Sequence, residues 1–177
     1  MRIVFDFDQT IADSSKGLYD IYIKETGRNE SYNPEHKWNF DGLFPDDYKK
    51  RALELFCTKE LFDVLKPFKN AVEVMTRLSE KHEIFVCTNH KADGIPFKDK
   101  WIRANLPFAK IVYVDSFDKS ITCGDIFVDD KIECLNSVRG NYKHILCFGN
   151  YHWNSQWNGD RVLSWLELEE KINSLEV

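Results

Sequence analysis

The sequence predicts an α/β protein: a parallel β-sheet with helices on both faces and a small helical segment inserted after the first strand. Three observations carry that prediction. Short apolar runs of β-type recur along the chain, segments of helical periodicity separate several of them, and residues 14–65 interrupt the alternation with helical and aromatic stretches of their own. Strand–helix–strand alternation builds parallel sheets, because a parallel neighbour is reached only by a crossover, usually a helix.

The first run is Ile3–Phe7, and further strand-like runs follow at Glu83–Cys87, Lys110–Val114, Asp125–Val128 and Lys143–Cys147. Between them, Asn70–Lys81 places Val72, Met75 and Leu78 at helical spacing, with weaker helical patterns at Phe97–Leu106 and Lys131–Val138. The tail Arg161–Leu175 carries Val162, Trp165, Leu166, Leu168, Ile172 and Leu175, a stripe expected to fold as a helix on the core. Within the interruption, Leu18–Ile23 and Tyr48–Phe56 look helical and flank the aromatic, polar stretch His36–Asp41. The expected division is therefore a core domain of residues 1–13 and 66–177 and a small helical cap of residues 14–65. The cap returns at Leu65-Lys66-Pro67 and hangs over the strand ends, where open α/β sheets bind ligands.

A chain of 177 residues is long enough for one proper core. Its net charge of −5 argues against bulk attraction to nucleic acid polymers or to a membrane surface. A small anionic substrate would need a local cation or a metal instead. The five cysteines are odd in number and form no CxxC pair, which reads as reduced thiols in a cytoplasmic setting. A core strand predicted from residue 3 leaves no room for a signal peptide, and no apolar run approaches the ~20 residues of a membrane span.

The most informative motif is Asp6-Phe7-Asp8-Gln9-Thr10 at the end of the first run. Residues two apart in an extended segment face the same way, so Asp6 and Asp8 are expected to share one site. Two neighbouring carboxylates repel, and a divalent cation with oxygen ligands answers that repulsion. Asp125-Ile126-Phe127-Val128-Asp129-Asp130 repeats the logic far along the chain. Phe85-Val86-Cys87-Thr88-Asn89 ends another strand on a hydroxyl and an amide, and Lys119 follows the third strand. Cys87 is expected to be a small buried hydrophobe, Trp153 and Trp165 packing residues, and Asp125 a strand opener outside the site. Of the five histidines, which lack metal-ligand spacing, His90 lies nearest the Thr88 loop.

This set resembles the haloacid dehalogenase-like (HAD) phosphatase superfamily, whose four motifs are DxDxT/V, a Ser or Thr, a Lys and a paired acid. Within it, the chain is most similar to the 5'(3')-deoxyribonucleotidases. That likeness extends through Leu65-Lys66-Pro67, Cys87-Thr88-Asn89, Asp118-Lys119, Asp129-Asp130-Lys131, Tyr151-His152-Trp153-Asn154 and Arg161-Val162-Leu163-Ser164-Trp165. The resemblance implies a three-layer, Rossmann-like HAD core and hydrolysis of a small nucleotide through an aspartyl-phosphate. Asp6 would be the nucleophile and Asp8 the general acid and base. Thr88, Asn89 and Lys119 would hold the phosphate. The implied cofactor is Mg²⁺, with Asp6, Asp8 (through its backbone carbonyl) and Asp130 as ligands; the sequence does not separate Asp130 from its neighbour Asp129. Trp38 and Phe40 are the candidates to stack a base. Two departures stand out: Gln9 occupies a position where the family has Gly, and Ser14 follows Asp13 where the family has an aromatic residue. A phosphatase of other small esters, such as sugar phosphates, and a non-catalytic HAD-like binding module both remain open. So do the monomer and the homodimer.

Overall fold

The first strand, β1 (Arg2–Phe5), buries Ile3, Val4 and Phe5 almost completely, so both of its faces are covered. That is the signature of a central strand in a parallel sheet. The computed structural model describes residues 1–28 and 30–175. It shows a six-stranded, all-parallel sheet in the order β3-β2-β1-β4-β5-β6. The other strands are β2 (Glu83–Asn89), β3 (Lys110–Val114), β4 (Gly124–Asp129), β5 (Tyr142–Phe148) and β6 (Arg161–Val162). This is the α/β, Rossmann-like HAD fold that the sequence predicts.

Residues 14–65 supply α1 (Ser14–Thr26), α2 (Asp46–Leu55) and α3 (Lys59–Val64), and none of their described residues joins the sheet. The remaining helices are α4 (Ala71–Ser79), α5 (Ile95–Asn105), α6 (Ile132–Ser137) and α7 (Trp165–Ser174). Period-two alternation along the strands assigns the two faces. Ile3, Phe5, Ile126 and Val128 join Val74, Met75 and Leu78 of α4 and Trp165, Leu168 and Ile172 of α7 in one core. Val4, Cys87 and Phe127 face the other way, onto Cys134 and Leu135 of α6. Among the described residues, no helix is long and apolar enough to cross a membrane.

Three elements differ from expectation. The predicted tail helix begins only at Trp165, after a Ser164 cap whose hydroxyl accepts the Glu167 N–H. Arg161 and Val162 form the short edge strand β6 instead, because Val162 completes the sheet face beside Phe148. The first strand stops at Phe5 rather than Phe7: the N–H groups of Ile11 and Ala12 both turn back to the Phe7 carbonyl. Helix α3 carries no long periodic stripe in the sequence; its buried residues are Leu61, beside Gly17 of α1, and Phe62, against the His90 ring.

Candidate active site

The sheet reverses its strand order around β1, and the crevice beyond the carboxyl ends of β1 and β4 is the natural ligand site of such a sheet. Register decides what meets there. Phe5 pairs with Val128, and the Asp6 N–H continues the ladder to the Val128 carbonyl at 2.8 Å. Asp6 therefore leaves β1 level with Asp129 at the end of β4. Lys119, from the loop after β3, is only 1% exposed and donates to Asp6 Oδ1 and to Asp129 Oδ2, the latter at 2.7 Å. Carboxylate oxygens of Asp6, Asp129 and Asp130 lie within 4.8 Å of one another, and all three residues are buried. Three carboxylates facing one ammonium leave two negative charges uncompensated. A divalent cation matches that deficit, and hard oxygen donors suit Mg²⁺.

Titration behaviour reflects the same imbalance. Burial pushes the Asp6 carboxyl up to about 7; Lys119 opposes the rise, and Asp129 and Asp8 add to it. Asp130 is raised well above the usual carboxylate range by burial, then by Asp129 and Asp6. Burial would lower the Lys119 ammonium, but Asp129 and Asp6 outweigh it and hold its pKa well above normal. Lys119 pulls the Asp6 carboxyl down, but desolvation exceeds the attraction of one shared lysine.

A stability consequence follows. A carboxyl whose folded pKa is raised contributes stability that is complete below its unfolded pKa of 3.8 and is lost as pH rises toward about 7. Metal-free protein should therefore melt at lower temperature as pH rises across that window. Each pH unit removes at most ~1.4 kcal/mol per such group, about 3–6 °C for a chain of this size. Calorimetry in chelator at pH 5, 6, 7 and 8 checks this, and saturating Mg²⁺ should flatten the trend.

Asp8 stands apart from the acid trio. The chain turns immediately after it, and its carboxylate accepts from Lys98 Nζ and from the Ser14 hydroxyl, both at 2.5 Å. Burial alone would raise this carboxyl, but Lys98's charge and the two hydrogen bonds hold it below the ordinary value. Lys98 is fully buried and also donates to Thr88 Oγ1 at 3.0 Å, tying two predicted site residues together. Sequence reasoning missed Lys98. Its signal was available: Lys98, Trp101 and Ile102 share the buried face of α5, and a lysine on an apolar stripe needs a partner. The two family departures also find places here. Gln9 adopts the left-handed conformation (φ 58°) in which glycine is usually favoured, and its side-chain oxygen accepts the Ser15 N–H at the start of α1. Ser14 is the Asp8 donor.

Asp129 and Asp130 are distinguished by their partners. Asp129 accepts from the Lys131 N–H at 2.8 Å on one oxygen and from Lys119 on the other. Asp130 accepts from the Trp153 indole at 2.7 Å through Oδ2, while Oδ1 has only the Thr10 hydroxyl at 3.4 Å. Trp153 is therefore more than the packing residue expected from the sequence, since its N–H holds a site carboxylate. Trp165 does fill the core, and its N–H meets the Thr10 carbonyl at 3.1 Å.

A cavity of about 320 Å³ opens over the acids, lined among others by Asp6, Asp8, Asn89, Lys119, Trp38, Phe117 and Lys131. Thr88 is fully buried and does not line it. Trp38 and Phe117 are both partly exposed, and the Lys131 ammonium lies 3.8 Å from the Trp38 ring centre and 4.5 Å from that of Phe117. Phe40 is directed elsewhere: it lines a smaller neighbouring cavity and is buried among Phe44, Phe56 and His36. Cys87 is fully buried and burial pushes its thiol up to about 11, as suits an inert hydrophobe. His90 lines the cavity over the acids, with its pKa lowered to about 4 by burial and by Lys98. A side chain at Gly94 would collide with the His90 ring and the Phe56 carbonyl, so only glycine allows the 14–65 segment to approach this closely.

The family described as "5' nucleotidase, deoxy (Pyrimidine), cytosolic type C protein" matches residues 1–176. Among solved structures, the chain is similar to a haloacid dehalogenase-like family hydrolase from Streptococcus pneumoniae, with TM-score 0.62, 14% identity and 97% of each chain covered. It is also similar to a HAD-superfamily hydrolase, subfamily IA, from Geobacter sulfurreducens, with TM-score 0.60, 15% identity and coverage of 96% of this chain and 98% of that one. A Bacillus subtilis HAD-hydrolase bound to magnesium aligns with TM-score 0.59 and 11% identity over 97% of this chain and 98% of that one. At such identities these structures establish the fold alone. No curated protein matches the sequence.

Proposed function

Because the chain belongs to the family of deoxy (pyrimidine), cytosolic type C 5'-nucleotidases and is a HAD-type phosphatase, we propose that it hydrolyses pyrimidine deoxynucleoside monophosphates with Mg²⁺ in the cytoplasm. The observation that carries this reading is the buried Lys119 ammonium bridging Asp6 and Asp129, with Asp130 beside them, at the open ends of β1 and β4.

Asp6 is the nucleophile. Lys119 holds its Oδ1, while Oδ2 accepts no hydrogen bond from the described residues and is the oxygen available for in-line attack on phosphorus. The P–O bond to the nucleoside breaks as the Asp6–phosphorus bond forms, giving an acyl-phosphate on Asp6 that water then hydrolyses. Asp8 serves the proton transfers. Lys98 and Ser14 keep it ionised in the free site, and the negative charge of an incoming phosphate raises its carboxyl so that it takes up a proton. It then protonates the leaving nucleoside oxygen and later accepts a proton from the attacking water. Lys98 contacts both Asp8 and the Thr88 hydroxyl, so it aligns the acid–base group with the phosphate-binding end of β2. Lys119 and Asn89 complete the phosphate cradle. A bound cation would be held by Asp6, Asp130 and the Asp8 carbonyl and would supply charge neutralisation for the phosphoryl oxygens. Of the two adjacent acids, Asp130 would be the direct ligand, since both oxygens of Asp129 are engaged by Lys119 and the Lys131 N–H.

The base stands against the wall of Trp38 and Phe117, where aromatic surface accepts a planar ring and the Lys131 ammonium can donate to ring carbonyl oxygens. This wall favours a nucleotide over a sugar phosphate. Phosphate release measured across deoxynucleotides, ribonucleotides and sugar phosphates tests the reading. Expected values of kcat/KM for dUMP and dTMP exceed those for sugar phosphates by at least about 10-fold. EDTA should silence turnover and added Mg²⁺ should restore it. Equal rates across nucleotides and sugars would favour a general small-ester phosphatase, and no turnover of any ester with Mg²⁺ present would favour a binding module.

A further inference from the structure

Among the described residues, four indole N–H groups have identified acceptors. Those of Trp101, Trp157 and Trp165 donate to backbone carbonyls; Trp153 alone donates to a carboxylate, Asp130 Oδ2, at 2.7 Å. The acceptor residue is 1% exposed and belongs to the acid trio. A buried carboxylate can rotate and offer either oxygen, or both, to an ion. A neutral donor fixed on one oxygen removes that freedom without neutralising the charge the ion needs.

The donor itself is held from several directions. Tyr151 stacks on the Trp153 ring with centres 4.7 Å apart and an interplanar angle of 8°. The Asn154 amide donates to the Asp130 carbonyl at 2.9 Å, so the same loop grips both the backbone and the side chain of that acid. Arg161 in turn donates to Asn154 Oδ1 at 2.8 Å, anchoring the loop to β6. From the 14–65 segment, His36 and Trp38 lie against Trp153 at ring distances of 5.4 and 5.5 Å.

We propose that Trp153 is a positioning residue for the cation site: it reserves Asp130 Oδ2, presents Oδ1 to the ion, and transmits the seating of the 14–65 segment to the metal-binding carboxylate. The inference rests on the proposed reading of the acid trio as a cation site. It gives Trp153 no contact with substrate, so its effect falls on ion affinity first and on turnover only through occupancy.

The test is Mn²⁺ binding followed by electron paramagnetic resonance on wild type and on Trp153→Phe, which keeps an aromatic ring and removes the N–H. The expected result is an Mn²⁺ Kd about 10-fold weaker or more in the variant, the usual scale for a lost partner of a metal ligand. At saturating Mg²⁺, kcat should recover. A second readout uses the wild type alone: Mg²⁺ titration in ¹H–¹⁵N spectra should move one indole Nε1–H signal far more than the others. Should Trp153→Phe fail to fold, that spectrum still decides. Equal Kd values in wild type and variant, or indole signals indifferent to Mg²⁺, would overturn the positioning role while leaving the phosphatase reading intact. Wild-type protein that binds no Mn²⁺ would overturn both.

Discussion

Replacing Asp6 with asparagine is expected to lower phosphate release by about 10⁴-fold or more, the scale on which loss of a covalent nucleophile is felt. The substitution is nearly isosteric, so it isolates chemistry from packing. An amide oxygen can still accept the Lys119 hydrogen bond, yet it cannot form a stable acyl-phosphate. Stability should move the other way. Asp6 is a buried carboxyl raised to about 7 by desolvation and by neighbouring acids, so removing its charge relieves repulsion in the metal-free protein. The Asp6→Asn variant should melt above wild type at pH 8 in chelator, and the difference should shrink at pH 5, where wild-type Asp6 is already protonated. Loss of function with gain of stability is the pattern of a site that tolerates strain for catalysis. Turnover within about 10-fold of wild type would remove Asp6 from the nucleophile role, and a lower melting temperature at pH 8 would refute the repulsion argument.

The sequence made the sheet legible because its central strands are buried on both faces and read as unbroken apolar runs. The meeting of Asp6 with Asp129 also follows from the sequence, once each acid is seen to end such a run; the β1–β4 register then brings them level. What stayed hidden were groups whose roles depend on tertiary approach. Lys98 looks like one more lysine in a weakly helical stretch, and only the fold carries it 90 positions back to Asp8. Phe117 lies in a polar loop with no periodicity to mark it, while Phe40, equally aromatic, turns into the interior of the 14–65 segment. The edge strand at Arg161–Val162 merges with a helical stripe in the sequence, because two residues cannot establish a period.

Replacing Lys119 with methionine should be the most damaging single change to stability, and it should slow turnover as well. Among the described residues, Lys119 is the only ammonium within hydrogen-bonding reach of Asp6 and Asp129, and it is 1% exposed. Methionine fills much of the same volume, so the loss is electrostatic rather than a cavity. Removing one partner of a buried ion pair costs about 3–5 kcal/mol, because the remaining charges stay desolvated and unpaired. For a chain of this size that is a fall of about 6–20 °C in the metal-free melting temperature. The penalty should be larger at pH 8 than at pH 5, since proton uptake by Asp6 and Asp130 substitutes for the missing cation at low pH. Mg²⁺ should return part of the stability by the same logic, but not the rate: without the ammonium, the phosphoryl oxygens lose a donor worth about 10²–10³ in kcat. Lys119→Arg separates charge from shape. Its guanidinium restores the positive charge and so most of the melting temperature, yet its planar fork cannot reproduce a compact ammonium set between two carboxylates, and kcat should stay low. If Lys119→Met melted like wild type in chelator at pH 8, the three acids would not be electrostatically dependent on this lysine, and the charge deficit that calls for a divalent ion would lose its basis.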